Sequence, residues 1–328
     1  MDSSKSVVNP FAWVLLCACL ALTACRQNFR SLPNCDEGAP SVLTVPGDHN
    51  GDLGFDGQLR TYLLHVPAEY DGESPLPLVV LLHGGGGDAD EVARDTNFSD
   101  LADEGIFFVV YPNAVDGIWA DGRGTSRNEI RGVDDVGFIN TLVDCLSGKL
   151  PVDQKRIYLA GVSNGSILSH RIACQQGERF AAFAGVAGTF PERILGTCNI
   201  SEPMPAVFFH GTLDNLSPFD GGEVGSIRGG AVLSVSSTME TWAALNQCSS
   251  LVLVSDEPNV DPTDGTSVRR ETQDGCSGGA SIVTYVIENG GHTWPDGPGG
   301  GGELFGNITR DINATRTIWN FFRQYSKP

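Results

Sequence analysis

The chain has 328 residues, of which 41% are hydrophobic and 19% are charged, a composition typical of a globular protein and not of a disordered one. Acidic residues outnumber basic ones by 40 to 21. This excess argues against nucleic acid or an anionic membrane surface as a partner, because both need clustered lysine and arginine.

The N-terminus has the pattern of an export signal. Lys5 precedes an apolar run at residues 11–22, which is followed by Thr23, Ala24 and Cys25. The run is too short to span a bilayer, and its end resembles the lipobox of bacterial lipoproteins. We therefore expect an exported protein, with a signal peptide at residues 1–25 and a lipid on Cys25. The alternative is an ordinary secretory signal with a coincidental cysteine.

Residues 26–57 are rich in Pro, Gly, Asn and Asp and show little periodicity, so we interpret them as a tether. A single catalytic domain is then expected at residues 58–328. Residues 48–52 weakly resemble a calcium loop, but Leu53 and Leu59 stand where an EF-hand needs glycine and glutamate. We therefore predict no metal site.

Apolar runs alternate with helical patterns through the rest of the chain. Strands are predicted at 60–67, 78–83, 106–111, 156–162, 206–210 and 282–287, and helices at 89–101, from 134, after 163, at 236–246 and at 310–325. This alternation predicts an α/β fold with a mostly parallel central sheet covered by helices on both faces. No insertion between the strands is large enough to form a lid domain.

Two loops between these elements are unusual. The first predicted buried strand ends in His83 and four glycines, the type of loop that supplies an oxyanion N–H in α/β-hydrolases. Gly84 and Gly85 are the candidate donors. The loop at 112–132 carries Trp119 and three arginines, and loops of this length are commonly functional.

Two acids follow the long loop. Asp134 and Asp135 stand at the start of a predicted helix, where a carboxylate stabilises the unpaired N–H groups of the first turn. We interpret both as capping residues and not as catalytic acids.

Residues 161–165 form the motif G-x-S-x-G, the nucleophile elbow of α/β-hydrolases. A serine on such a sharp turn between strand and helix needs glycine two positions to either side, because a Cβ there would collide with the adjoining backbone. Gly161 and Gly165 meet this requirement. Ser163 is therefore the predicted nucleophile, and the N–H of Asn164 is a further candidate oxyanion donor.

An acid and a histidine complete the pattern in the order Ser, Asp, His that is typical of α/β-hydrolases. Asp214 and His292 each follow a predicted strand, at the sheet edge where open α/β sheets gather their sites. We predict that His292 is the general base towards Ser163 and that Asp214 orients it. Asp220 is the rival acid, but it lies in a glycine-rich loop with no strand immediately before it.

Trp119 and Trp294 lie near the predicted site in sequence and are candidate substrate-binding residues. An aromatic face suits either a hydroxycinnamoyl ring or a sugar ring. Packing in the core is the alternative for each of them.

Six cysteines remain once Cys17, Cys19 and Cys25 are assigned to the signal region. An even number in an exported chain favours disulfides. Six cysteines allow 15 pairings, and we expect Cys174 with Cys198 and Cys248 with Cys276, since each closes a local loop. Cys35 with Cys145 is the remainder.

Taken together, these motifs resemble the secreted polyhydroxybutyrate depolymerase family, which is related to the feruloyl and acetylxylan esterases of carbohydrate esterase family 1. The resemblance is carried by residues 62–67, 82–87, 132–138, 161–165, 210–214 and 290–295. It implies an α/β-hydrolase catalytic domain that needs no cofactor and has Ser163, Asp214 and His292 as its triad.

The expected function is that of an exported serine esterase. Two substrate classes stay open: feruloyl or acetyl esters on polysaccharide, and poly(3-hydroxybutyrate) or its short oligomers. A catalytically silent surface-binding lipoprotein is the alternative from another class. We expect a monomer whose partner is an ester substrate and whose membrane contact runs only through the N-terminal lipid.

Overall fold

The computed structural model describes residues 44–225, 229–299 and 302–328, and a ten-stranded sheet runs through their centre. In chain order the strands are β1 Gly47–Phe55, β2 Gln58–Val66, β3 Leu76–Leu82, β4 Phe108–Pro112, β5 Val152–Val162, β6 Ala182–Val186, β7 Ala206–Gly211, β8 Gly222–Glu223, β9 Ala231–Val232, β10 Val252–Asp256, β11 Ser267–Gln273 and β12 Ile282–Glu288. The helices are α1 Ala89–Thr96, α2 Phe98–Gly105, α3 Arg127–Ile130, α4 Asp135–Lys149, α5 Asn164–Gln176, α6 Val235–Leu245 and α7 Ala314–Phe322.

The main sheet has the strand order β1-β2-β4-β3-β5-β6-β7-β12-β11-β10, and β8 pairs separately with β9. The six inner strands, from β4 to β12, pair in parallel. Two antiparallel strands extend each edge, β1 and β2 on one side and β11 and β10 on the other. The parallel centre therefore brings the carboxyl ends of β3, β5, β7 and β12 to one edge of the sheet.

The inner strands read as continuous apolar runs because helices cover both of their faces. All residues of β3, β4, β6 and β7 are buried. One core cluster includes side chains of α4, α5 and α6, and the other includes side chains of α1, α2 and α7. The predicted α/β architecture is confirmed.

The domain begins earlier than the sequence predicted, so the expected tether is wrong over β1. Gly47–Phe55 pairs antiparallel with β2 along its whole length, although its side chains are mostly polar or absent. Backbone hydrogen bonds alone can make an edge strand, and Leu53 adds a buried contact. Asp56 and Gly57 have positive φ, of 48° and 72°, and form the Asp-Gly turn that commonly joins two hairpin strands. This dipeptide is the sequence signal that could have predicted β1.

Residues 48–52 lie within β1 and form no loop. Successive side chains of a strand point to opposite faces, so these polar groups do not converge on one point. Asp48 Oδ1 lies 2.7 Å from His65 Nδ1.

Several smaller boundaries also differ. The helix predicted at 89–101 is divided into α1 and α2 at Asn97, whose φ of 52° is left-handed. The last helix covers only Ala314–Phe322. The strands β6, β8, β9, β10 and β11 were not predicted. β8 and β9 have only two residues each. β10 is exposed on both faces, and its sequence therefore lacks the alternation of a half-buried strand.

The two acids before α4 have different roles. Asp134 Oδ1 accepts a hydrogen bond from Gly137 N and caps the helix as predicted. The capping role predicted for Asp135 is wrong, because this residue is fully buried. Its carboxylate lies 2.7 Å from Arg60 Nη2 and also accepts the N–H of Ala120, so it forms an internal ion pair.

Disulfides join Cys174 to Cys198 and Cys248 to Cys276, the two local pairings that the sequence suggested. Cys145 is also disulfide-bonded, and its expected partner Cys35 lies outside the described residues. None of the described helices is long and apolar enough to cross a membrane.

A buried histidine should make the stability of the fold depend on pH. His170 of α5 is fully buried, and its Nδ1 accepts a hydrogen bond of 2.8 Å from Trp242 Nε1. Burial lowers the pKa of His170 to about 3. In the unfolded chain the same histidine takes up a proton at an ordinary pKa near 6.5. The free energy of unfolding should therefore decrease as the pH falls from about 6.5 towards about 3, by up to about 1.4 kcal/mol per pH unit.

His170→Phe should remove this share of the pH dependence, although the unpaired indole N–H of Trp242 lowers stability at every pH. The measurement is the free energy of unfolding in urea at pH 7, 6 and 5. His49→Gln, at a partly exposed histidine of β1, is the control and should keep the slope of the natural protein. An unchanged slope in His170→Phe would contradict the assignment.

Candidate active site

Ser163 occupies a sharp turn between β5 and α5. Its φ of 56° and ψ of −120° are strained for a residue with a side chain, and such strain is common at functional sites. Its N–H donates to Val186 O at 2.8 Å. A Cβ on Gly161 would collide with the backbone of Gly165, and a Cβ on Gly165 would collide with the carbonyls of Leu82 and His83. The glycines therefore let the turn pack directly against the end of β3.

Asp214 and His292 meet above the ends of β7 and β12. Asp214 Oδ2 lies 2.8 Å from His292 Nδ1, and Oδ1 accepts the N–H groups of Leu216 and Ser217 at 2.9 and 2.8 Å. Burial acts to raise the pKa of Asp214, but the hydrogen bond and charge of His292 outweigh it and hold the pKa below its usual value. Asp214 is therefore an ionised acceptor, whereas Asp220 is exposed and forms no hydrogen bond or ion pair with His292.

His210 supports the loop that carries Asp214. It is buried, and its Nε2 lies 2.8 Å from Ser217 O and 3.4 Å from Asp214 Oδ2. Burial lowers the pKa of His210, and the charge of Asp214 offsets this only in part. The neutral ring donates its Nε2–H to the carbonyl of Ser217, so His210 has a structural role in this loop.

The glycine loop lies beside the elbow. A Cβ on Gly84 would stand 3.5 Å from Ser163 Cβ, and one on Gly85 would stand 3.5 Å from Asn164 Cβ. His83 fixes this loop through both nitrogens of its ring. Nε2 accepts the N–H of Ala114 at 3.1 Å, so the proton of the neutral ring is on Nδ1. Nδ1 lies 2.7 Å from Gly84 O and donates to it. Burial lowers the pKa of His83 and keeps the ring neutral.

The two tryptophans are mainly structural. Trp119 is fully buried, donates from Nε1 to His83 O at 2.9 Å and from its backbone N–H to Asn164 Oδ1 at 2.8 Å. The substrate-binding role predicted for Trp119 is therefore wrong, because an indole enclosed by protein cannot contact a substrate. Trp294 is 7% exposed and donates to Thr315 Oγ1, but it does line the cleft that contains Ser163.

A buried acid that the sequence did not single out holds the residue after the serine. Asn164 Nδ2 donates to Asp121 Oδ2 at 2.5 Å, and the same oxygen lies 2.9 and 2.7 Å from Arg123 Nε and Nη2. Burial raises the pKa of Asp121, and the charge of Arg123 opposes the rise. The long loop with its arginines was the signal, since it carries both members of this pair.

Two clefts meet at Ser163, and Gly85, Ser163 and Leu216 line both of them. The smaller has a volume of about 360 Å³ and includes His292, Trp294 and Phe305. The larger, of about 720 Å³, includes Ile118, Ile167, Val224 and Arg127. Within the described parts of the chain, no group of three or more His, Cys, Asp or Glu side chains is arranged to hold a metal ion.

Comparison with known proteins identifies the family. The family model described as esterase PHB depolymerase matches residues 60–201. The esterase-like protein NocK of Nocardia uniformis subsp. tsuyamanensis is 30% identical over 253 residues, which cover 74% of this chain and 72% of NocK. The chain belongs to the esterase PHB depolymerase family. The resemblance inferred from the motifs is thus confirmed.

Two further esterases resemble the chain at lower identity. Feruloyl esterase B of Piromyces equi is 26% identical over 277 residues, which cover 82% of this chain. The matched region is 46% of that enzyme, so this chain spans about half of its length. The solved structure of the acetyl xylan esterase of Aspergillus awamori matches with a TM-score of 0.55 at 16% identity, and the matched region covers 84% of this chain and 99% of that enzyme. That likeness confirms the α/β-hydrolase fold.

Removing the buried acid beside Asn164 should destabilise the fold strongly. Asp121→Ala leaves the guanidinium of Arg123 and the amide of Asn164 without their partner, and breaking a buried pair in this way costs about 3–5 kcal/mol. The measurement is the free energy of unfolding in urea. Asp116→Ala is the matched control, because Asp116 pairs with Arg131 at the surface and should contribute less than about 1 kcal/mol. Equal losses in the two variants would contradict the role of Asp121.

Proposed function

We propose that Ser163, His292 and Asp214 act as the catalytic triad of this exported serine esterase. The protein is a carboxylic ester hydrolase of the α/β-hydrolase fold. The observation that carries the proposed triad is the 2.8 Å contact between His292 Nδ1 and Asp214 Oδ2 beside a cleft lined by both Ser163 and His292. The order and places of the three residues in the fold add support.

In this mechanism Asp214 accepts the Nδ1–H of His292, which leaves Nε2 of the ring as the base. Nε2 takes the proton of Ser163 as Oγ attacks the carbonyl carbon of the ester. The oxyanion that forms accepts N–H groups from Asn164 and from the loop of Gly84 and Gly85. The tetrahedral intermediate then expels the alcohol, which takes the proton from His292.

Water completes the reaction by the same steps. His292 removes a proton from water as the oxygen attacks the acyl-enzyme carbonyl, and it returns that proton to Ser163 Oγ when the acid leaves. The helix α5 begins behind Ser163, so its first N–H groups lack intrahelical partners and are available to developing negative charge.

The two clefts suggest which side of the ester each one takes. The leaving alcohol must lie beside His292, because this residue protonates it, and the smaller cleft contains His292. The acyl group is then assigned to the larger cleft, which His292 does not line. Its volume of about 720 Å³ is far more than an acetyl group needs. Ile118, Ile167 and Val224 give it apolar walls, so a bulky acyl group is favoured.

The smaller cleft, which is assigned to the alcohol, is more polar than the larger one. Glu91 and Asp95 line the smaller cleft together with Trp294 and Phe305. Carboxylates accept hydrogen bonds from hydroxyl groups, and aromatic edges and faces suit a sugar ring. Feruloyl esters on polysaccharide are therefore the substrate class that we favour. The second candidate is an oligomer of 3-hydroxybutyrate, because the matching family model is that of PHB depolymerase esterases.

The triad is tested by hydrolysis of methyl ferulate, p-nitrophenyl acetate and a 3-hydroxybutyrate trimer. Ser163→Ala should lower kcat by about 10⁶, and Asp214→Asn should lower it by about 10⁴. Asp220→Asn is the matched control and should keep full activity. If Ser163→Ala and the natural protein are equally inactive, and neither is labelled by a fluorophosphonate, a silent binding role replaces the proposed one.

The acyl assignment has its own test. Val224→Trp narrows the larger cleft and should lower kcat/KM for methyl ferulate at least ten times more than for p-nitrophenyl acetate, since only the bulky acyl group needs that space. Equal losses on the two esters would contradict the assignment. A faster rate on the trimer than on methyl ferulate would favour the second substrate candidate.

Anchoring by lipid is a further part of the proposal, and Cys25 lies outside the described residues. The disulfides fit an oxidising compartment outside the cytoplasm, and the sequence around Cys25 supports lipidation. In a bacterial host, the natural chain should incorporate labelled palmitate and remain with the membrane fraction. Cys25→Ser should lose the label and become soluble. Labelling of Cys25→Ser would contradict lipidation at this residue.

A further inference from the structure

A third cleft lies beside the long loop. It has a volume of about 540 Å³, and its lining includes Gly122, Gly124, Arg171, Gln175, Arg193 and Ile194. It shares no lining residue with the two clefts that meet at Ser163. The mechanism described above leaves it without a role.

Two arginines lie against the same short piece of this loop. A Cβ on Gly122 would stand 3.3 Å from Arg171 Cδ, and the guanidinium of Arg193 lies directly against Gly124. Both glycines have a left-handed φ, of 100° and 80°, so the loop presents bare backbone where the arginines lie. Two residues of chain span at most about 7 Å. The two guanidinium groups can therefore reach one ligand.

Both arginines retain donors for an external acceptor. Among the described residues, no ion pair joins Arg171 or Arg193 to a carboxylate, and Arg171 Nη1 donates to Ala120 O at 2.6 Å. Two carboxylates, Glu129 and Asp134, also line the cleft, and each accepts backbone N–H groups instead of pairing with either arginine. Glu129 accepts the N–H groups of Gly122 and Gly124, and Asp134 accepts that of Gly137.

We infer that this cleft binds a carboxylate carried on a sugar, such as a uronate unit of an acidic polysaccharide. Arginine pairs with carboxylate through two parallel hydrogen bonds. The amide of Gln175 can serve the sugar hydroxyls, and Ile130 and Ile194 offer apolar contact to the C–H face of the ring. This inference rests on the proposed function in one respect, that the ester is carried on polysaccharide.

The charge of the whole chain makes such a local site necessary for an acidic polymer. The formal net charge is −19, so most of the surface repels a polyuronate. Arg171 and Arg193 line the cleft together with Glu129 and Asp134, so the cleft is locally less negative than the chain as a whole, and the two arginines provide a defined place of attraction within it. The cleft would then hold the polymer while a neighbouring ester group occupies the clefts at Ser163.

Calorimetric titration with tetragalacturonate tests the inference. The full chain carrying Ser163→Ala is used, so that the fully methyl-esterified tetragalacturonate, which keeps the rings but loses the charges, is not hydrolysed. The acid should bind, and the methyl ester should bind at least ten times more weakly. Arg193→Gln should weaken binding of the acid about tenfold, the equivalent of one charged hydrogen bond. The affinity of Arg193→Lys should lie between that of Arg193→Gln and that of the protein with Arg193 intact.

Arg323→Gln is the matched control, since Arg323 is an exposed arginine at the end of α7 on the opposite face of the sheet. It should leave binding unchanged. Equal binding of acid and methyl ester, or equal losses in Arg193→Gln and Arg323→Gln, would overturn the inference. Inorganic phosphate is titrated in parallel, and tighter binding of phosphate at the same arginine would overturn the assignment to a sugar carboxylate. Failure of the proposed esterase function appears separately, as inactivity of the natural protein with binding intact.

Discussion

The close contact between the backbone of α5 and the end of β3 is the constraint on which the rest of the site depends. Gly165 lies so near the carbonyls of Leu82 and His83 that a single added carbon has no room. This contact lets Ser163 keep its strained conformation and places the glycine loop directly beside it. A nucleophile, its neighbouring N–H groups and the loop after β3 are brought together by packing of main chain on main chain.

A layer of buried polar groups then fixes the long loop over this contact. Trp119 joins the loop to His83 and Asn164, Asp121 joins it to Asn164, and Asp135 joins Ala120 to Arg60. Each of these groups is buried with its partner, and a buried polar group left alone is costly. The loop is therefore held at several points by buried hydrogen bonds although it contains little regular structure, and residues along it line different clefts.

The same loop separates two kinds of surface. One side, with Ile118 and Arg127, belongs to the larger cleft at Ser163. The other, with Gly122 and Gly124, belongs to the cleft of Arg171 and Arg193. Arg171 lies on α5 and donates to Ala120 O. The helix that begins next to Ser163 therefore also supplies a lining residue of the cleft of Arg171 and Arg193. The loop therefore contributes to both clefts, while its buried groups tie it to the core.

The local motifs were sufficient to predict the elbow at Ser163, the glycine loop and five of the six strands of the parallel centre, because these depend on residue size and on apolar runs that are readable along the chain. The short inner strand β6 was not predicted. The motifs did not reveal β1 as a strand, since its edge position rests on backbone hydrogen bonds to β2, although the turn at Asp56 and Gly57 was a local signal for it. Nor could they decide between substrate and core roles for Trp119, or find Asp121 and Asp135 as buried partners. Those outcomes depend on residues distant in sequence, and only the tertiary structure decides which polar groups are buried together.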